Sequence, residues 1–246
     1  MTDTSRDNLF SSPLGKVPAF AFDQAVVDVF PDMISRSVPG YETILAHTGE
    51  LADRFVQANT HCYDLGCSLG ASTMAVRQRI AGRGAKIIAV DNSTAMLSKC
   101  KTILEANADS TEVEVELVHS DICDIEISDA SLVVMNFTLQ FVPLEQRVAL
   151  ISKIYRGLNP GGCVIISEKL SFEPESLNQL LSELHHGFKR AQGYSDLEIS
   201  QKRDSIENVL VPETLDSHIQ RLRACGFQSA SPWFQCFNFC SLVAIK

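Results

Sequence analysis

The run Tyr63-Asp64-Leu65-Gly66-Cys67-Ser68-Leu69-Gly70 decides how this chain reads. Residues 61–65 predict a buried strand, and the glycines at 66 and 70 predict a tight turn from it into a helix. Without a Cβ at either glycine the backbone can approach a ligand closely, and the helix beyond offers free N–H groups to a polar one. A glycine-rich turn with no ligand shares this local pattern, so the reading rests on what comes next.

Next comes a second buried strand, Ile87-Ile88-Ala89-Val90, which delivers Asp91 and Asn92 to its carboxyl end. In nucleotide-binding α/β folds an acid at that place accepts hydrogen bonds from ribose hydroxyls, its two oxygens matching the diol. The same acid can also cap the helix that begins near Ser93. Expected strands at 61–65, 86–90, 113–118, 132–136 and 163–167 alternate with helical segments, the pattern of a mostly parallel sheet with helices on both faces. Asp121 and Ile122 follow the third strand and Asn136 ends the fourth. All these points therefore meet at the carboxyl edge, where open α/β sheets bind ligands. Leu158-Asn159-Pro160-Gly161-Gly162 ends the helix before the fifth strand, because proline cannot continue a helix and glycine tolerates the turn.

Two other chemistries are set aside on context. Gly66-Cys67-Ser68-Leu69-Gly70 also fits G-x-S-x-G, the nucleophile elbow of α/β-hydrolases. Such an elbow follows several strands, whereas residues 1–60 read mainly as helix and loop, and His185, His186 and His218 fall on expected helices outside any triad context. A dinucleotide site would need G-x-G-x-x-G; the loop here is D-x-G-x-x-x-G, which favours S-adenosylmethionine over NAD.

Composition narrows the partners. The 246 residues, 45% hydrophobic and 21% charged, suit one globular α/β domain spanning 1–246. A net charge of -9 argues against a broad nucleic-acid surface, since that affinity rests on neutralising phosphates. No apolar run approaches the roughly 20 residues of a membrane-spanning helix, and Met1-Thr-Asp-Thr-Ser-Arg-Asp lacks the pattern of a signal peptide, so a cytoplasmic location is expected. Eight cysteines occur without a single CxxC, and they read as small apolar packing residues. His185 and His186 adjoin on one helix and point in different directions, so no metal is expected. Helices over 32–56, broken at Val38-Pro39-Gly40, form an N-terminal cover within 1–57. A helical insertion over 170–211 precedes the last two strands and is a candidate lid.

The D-x-G-x-x-x-G loop, Asp91, Asp121 and Leu158-Asn-Pro-Gly-Gly together resemble a class I methyltransferase, a Rossmann-like fold with seven strands. That resemblance implies that Gly66, Cys67 and Ser68 meet the methionine and sugar portions of S-adenosylmethionine, Asp91 and Asn92 the ribose, and Asp121 and Ile122 the adenine. Three segments narrow it: Phe30-Pro-Asp-Met-Ile-Ser-Arg-Ser-Val-Pro-Gly-Tyr41, Phe188-Lys-Arg-Ala-Gln-Gly-Tyr-Ser-Asp-Leu-Glu-Ile-Ser-Gln-Lys-Arg203 and Trp233-Phe-Gln-Cys-Phe-Asn-Phe239. With them nearly the whole chain resembles the carboxy-S-adenosylmethionine synthases. The resemblance implies conversion of S-adenosylmethionine and prephenate to carboxy-S-adenosylmethionine and phenylpyruvate. It further implies a homodimer, and a separate enzyme that uses the product on wobble uridine of tRNA. It adds Tyr41, Asn136 and Arg203 to the ligand contacts, Arg203 receiving a carboxylate through its planar fork. An ordinary methyltransferase of a small carboxylate, which would yield S-adenosylhomocysteine, and a cofactor-holding subunit without turnover are the competing readings.

Overall fold

The computed structural model describes residues 6–107, 113–206 and 209–246. Residues 1–5, read above for a signal peptide, and residues 207–208 of the expected insertion lie outside the described residues.

Five parallel strands form the centre: β1 (His61–Leu65), β2 (Lys86–Asp91), β3 (Val115–His119), β4 (Ala130–Asn136) and β5 (Leu158–Lys169). β6 (Ser229–Cys236) and β7 (Phe239–Ile245) close the sheet as antiparallel strands, giving the order β3-β2-β1-β4-β5-β7-β6. Chain direction reverses its lateral progress between β1 and β4, which makes the carboxyl end of that pair the natural ligand crevice.

Alternation along each strand explains why both faces are covered. Val133, Met135, Val164 and Ile166 pack with Leu150, Ile151 and Ile154 of α5 (Leu144–Gly157) on one face. Their neighbours Leu132, Val134, Cys163 and Ile165 pack on the other face with Ala52 of α2 (Tyr41–Phe55) and Val76 of α3 (Ala71–Arg77). The period of two along a strand sends successive side chains to opposite sides. Every residue of β4 except Asn136 is buried, as a strand covered on both faces requires.

Three boundaries differ from expectation. The first helix, α1 (Gln24–Ser37), starts well before residue 32 and runs through Pro31. Its N-cap is Asp23, whose carboxylate accepts from the Val26 N–H at 3.1 Å, and burial of Val26, Val27 and Val29 outweighs the hydrogen bond that Pro31 cannot make. β5 begins at Leu158 rather than 163: the helix does end at Gly157, but the Asn-Pro-Gly-Gly stretch stays within the strand as an irregularity opposite Ala130 and Leu132. β3 is displaced by one or two residues towards His119.

The expected insertion contains α6 (Glu175–Ala191) and α7 (Asp196–Ile206), after which α8 (Leu215–Ala224) leads into β6. An extended segment before α1 fastens α7 in place. Gln201 donates to the carbonyls of Phe10 and Ser12 and accepts from the Leu14 N–H, while Ser205 donates to the Pro18 carbonyl. All eight cysteines are free. Among the described residues no helix is long and apolar enough to cross a membrane.

Candidate active site

A cavity of about 480 Å³ opens at the carboxyl edge of the sheet. Strand order fixes the sequence of groups along its floor: Asp121 and Ile122 beyond β3, Asp91 and Asn92 beyond β2, Gly66 and Ser68 beyond β1, Asn136 at β4 and Lys169 at β5.

The glycine loop is built as its sequence requires. Gly66 has φ +79° and Gly70 φ +83°, backbone that favours glycine, and a Cβ on Gly66 would lie 2.4 Å from the Thr138 side chain. Ser68 also has positive φ, at +50°, and its backbone N–H donates to Asp91 Oδ2 at 2.8 Å. The other oxygen of Asp91 accepts from the Ser93 N–H at 2.9 Å, and Ser93 itself caps α4 (Thr94–Ala106). Asp91 thus braces two turns and still faces the cavity; partial burial raises its carboxyl above the usual range, opposed by these backbone donors. Beneath the loop, Asp64 is fully buried and accepts from Thr73 Oγ1 at 2.6 Å; burial pushes it up to about 6 against that hydrogen bond.

Asn136 is held at both ends of its amide, donating to Ser72 Oγ at 2.7 Å and accepting from Ser167 Oγ at 2.6 Å. Asp121 Oδ1 accepts from the Cys123 N–H. The Ser68 hydroxyl donates to the Met96 sulfur, and β1 is the first strand among the described residues, so the hydrolase elbow has neither its preceding sheet nor a base on the serine.

Two expected contacts sit elsewhere. The Cys67 side chain turns into a core cluster with Ala89 and Leu97, leaving its backbone as the part nearest the loop. Tyr41 starts α2, packs 6.4 Å from the Phe137 ring, and has its phenol pushed up by burial and by Asp64; Phe137 lines the cavity, whereas Tyr41 and Cys67 do not. Arg203 does line it, at the rim: its side chain is 58% exposed and pairs with Asp204 at 3.2 Å.

The far wall, from α6 and α7, carries groups that sequence reading did not single out. Lys189 and Lys202 are buried there, beside Lys169 and the imidazoles of His185 and His186. Burial, with repulsion from Lys189, pushes Lys202 down to about 7; burial, with repulsion from Lys169, pushes Lys189 down to about 8. His185 is pushed down to about 3 by burial, so it is neutral, with Nε2 2.8 Å from the Ser37 carbonyl. Both lysines were within the segment 188–203, but a lysine on a polar helix is ordinarily a solvated one, and only the fold buries these. Phe20, Phe22, Phe30 and Phe141 form an edge-to-face cluster on the wall nearer α1. Among the described residues no group of three or more His, Cys, Asp or Glu is placed to hold a metal ion.

The cavity is therefore acidic where the sheet edge begins and cationic where it ends, with a glycine loop between. A seven-stranded sheet of this order with that loop and an acid ending β2 defines the S-adenosylmethionine-dependent methyltransferase fold. Residues 62–162 match the family model described as Methyltransferase domain. Human N-acetylserotonin methyltransferase in complex with SAM superposes with a TM-score of 0.61 at 16% identity, over 99% of this chain and 63% of that one. An O-methyltransferase family protein from Burkholderia thailandensis gives 0.65 at 12% identity, over 94% and 65%. Far nearer in sequence are carboxy-S-adenosyl-L-methionine synthases, that of Vibrio atlanticus at 54% identity over 99% of this chain and all of the relative, and that of Trichlorobacter lovleyi at 55% over 98% of each. This chain belongs to the carboxy-S-adenosyl-L-methionine synthase family, a family of enzymes.

Proposed function

We propose that this protein converts S-adenosyl-L-methionine and prephenate to carboxy-S-adenosyl-L-methionine and phenylpyruvate. The observation that carries the reading is the division of one cavity into an acidic and a cationic half. The acidic half suits the ribose and the cationic sulfonium; Asp91 faces the diol, and the conformation at Gly66 leaves room for close approach. Lysine and arginine beside a sulfonium would weaken its binding by like-charge repulsion, so the cationic half calls for an anionic second substrate. Tyr41, Cys67, Asn92, Asp121, Ile122 and Asn136 complete the proposed cofactor contacts, Tyr41 and Cys67 from behind the cavity wall.

In this scheme the methyl carbon on sulfur loses a proton to the hydroxide that departs from C4 of prephenate, forming water. The ring carboxyl leaves as carbon dioxide while the ring aromatises, and the ylide carbon bonds to it. The chain's contribution is to hold the two substrates in contact and exclude water, with Arg203 turned from Asp204 towards the new carboxylate. The whole of 1–246 acts as one unit in which 1–57 covers the site and 170–211 serves as its lid. Exposed Leu177, Leu180 and Leu184 along α6 support a homodimer, in which Arg203 serves its own or the neighbouring site. The product would supply a separate tRNA-modifying enzyme acting on wobble uridine, in the cytoplasm.

Mass spectrometry after incubation with both substrates tests this. Carboxylated cofactor with equimolar phenylpyruvate is expected; S-adenosylhomocysteine alone would indicate an ordinary methyltransferase, and unchanged cofactor a binding subunit. Methyl-deuterated cofactor should give product that has lost one deuterium.

A further inference from the structure

We infer that Lys189 and Lys202 bind the pyruvyl carboxylate of the second substrate, the one that phenylpyruvate retains. This assignment rests on the synthase reading above.

Both residues are buried, at 6% and 9% exposed, yet both line the cavity. The Lys189 ammonium group has no hydrogen bond or ion pair among the described residues; its Nζ lies 5.6 Å from the Tyr194 ring centroid. Lys202 Nζ donates to Ser37 Oγ at 3.2 Å and lies 3.9 Å from Asp7 Oδ2, its nearest carboxylate. That carboxylate is already engaged, accepting from the Tyr194 hydroxyl at 2.5 Å, and the neighbouring Arg36 is paired with Asp32 at 2.9 Å. Glu198, the other acid near Lys189, accepts from Ser195 N and Oγ. The wall thus holds buried positive charge beyond what its own acids offset, and Lys169 adds to it from β5. Buried charges are kept where something pairs with them. An anion entering the cavity would meet both ammonium groups.

Which carboxylate it is follows from the chemistry. The ring carboxylate must shed its charge and depart as carbon dioxide. Ammonium groups fixed on it would stabilise the starting state more than the transition state and slow the reaction. The pyruvyl carboxylate keeps its charge from substrate to product, so strong pairing there costs the chemical step nothing. The more exposed Arg203 remains free to meet the carboxyl group as it transfers.

Phenylpyruvate itself is the probe, since it keeps only this carboxylate. In the wild-type protein saturated with S-adenosylmethionine, it should compete with prephenate. K189M and K202M should each weaken phenylpyruvate binding and raise KM for prephenate about tenfold or more, with S-adenosylmethionine affinity and kcat at saturation far less affected, and K202R should recover part of the loss. A parallel loss of cofactor affinity in both variants would overturn the assignment, because the lysines would then hold the cofactor's own carboxylate. An unchanged KM in both would overturn it as well. Should K202M fail to fold, K189M decides, since its side chain makes no hydrogen bond. Failure of the synthase reading looks different: the wild type would form no carboxylated cofactor, while its binding of phenylpyruvate, and the loss of that binding in K189M, could still be read by calorimetry.

Discussion

The carboxylate of Asp91 accepts a hydrogen bond from the backbone N–H of Ser68 at 2.8 Å, so the acid that ends β2 holds the glycine loop that ends β1. One residue thereby both shapes the loop and faces the cavity. Asp91→Asn should therefore weaken S-adenosylmethionine binding twice over: the amide cannot accept from both Ser68 and Ser93 with its two ends, and it removes the charge from the proposed ribose site. A charged hydrogen bond contributes about 1.5–3 kcal/mol, so a loss of roughly tenfold to a hundredfold in affinity is expected by calorimetry.

Gly66→Ala should cost stability and cofactor affinity together. The residue has φ +79°, and the new Cβ would collide with Thr138. Holding alanine in that conformation costs about 1–3 kcal/mol, before any displacement of the Thr138 wall. Thermal unfolding with and without S-adenosylmethionine would separate the two effects, and a smaller ligand-induced rise in Tm than in wild type is expected.

Arg147→Met should unfold the far side of the site. The guanidinium is fully buried and donates to the carbonyls of Val142, Gln140 and Val211 while pairing with Glu213, which Arg221 also holds. These hydrogen bonds keep the Glu213 carboxyl below the usual range despite the opposing effect of burial. Removing one partner of a buried pair costs about 3–5 kcal/mol. Denaturant unfolding should show that loss, and because Gln140 and Val142 line the cavity, activity should fall at temperatures where the variant is still folded.

The pH dependence of kcat/KM for prephenate should break on the alkaline side. Lys202 loses its proton at about 7 and Lys189 at about 8 in the unliganded protein. Below these values both are ammonium groups and attract a carboxylate; as pH rises through them the attraction is lost. Burial causes both downward shifts, Lys189 and Arg36 reinforce that of Lys202 and Lys169 that of Lys189, Asp7, Asp32 and Glu198 oppose them, and His185 stays neutral across the range. Bound substrate raises both lysine values, so kcat should break at higher pH than kcat/KM, and binding near pH 8 should take up protons. Calorimetry in buffers of different ionisation enthalpy measures that uptake.

Most of the sheet edge was legible because each element carries its own local signal. β1 is a short strand stopped by Gly66, and β2 is a short apolar run stopped by Asp91; neither needs the rest of the chain to be recognised. The expected helix starts at residue 32 whereas α1 starts at Gln24, because burial of Val26, Val27 and Val29 stabilises its first turns from outside the helix. Lys189 and Lys202 were invisible for the same kind of reason. Nothing near them in sequence announces burial; Lys202 is buried because α7 is gripped by residues far away in the chain, and Lys189 lies on α6, which packs beside α7. Cys67 and Tyr41 show the converse, since a motif fixes where the backbone passes but not which way each side chain turns.

That grip has a consequence for how the protein comes into being. Gln201 and Ser205 are tied to carbonyls between Phe10 and Pro18. During synthesis the glycine loop and the acids of the sheet edge leave the ribosome long before α7 does. A nascent chain ending after β5 already holds every strand that would cradle the nucleoside, while its opening segment still waits for the helix it will clasp. Recognition of the anion is the last competence this polypeptide acquires, and it depends on the union of two stretches made almost at opposite times.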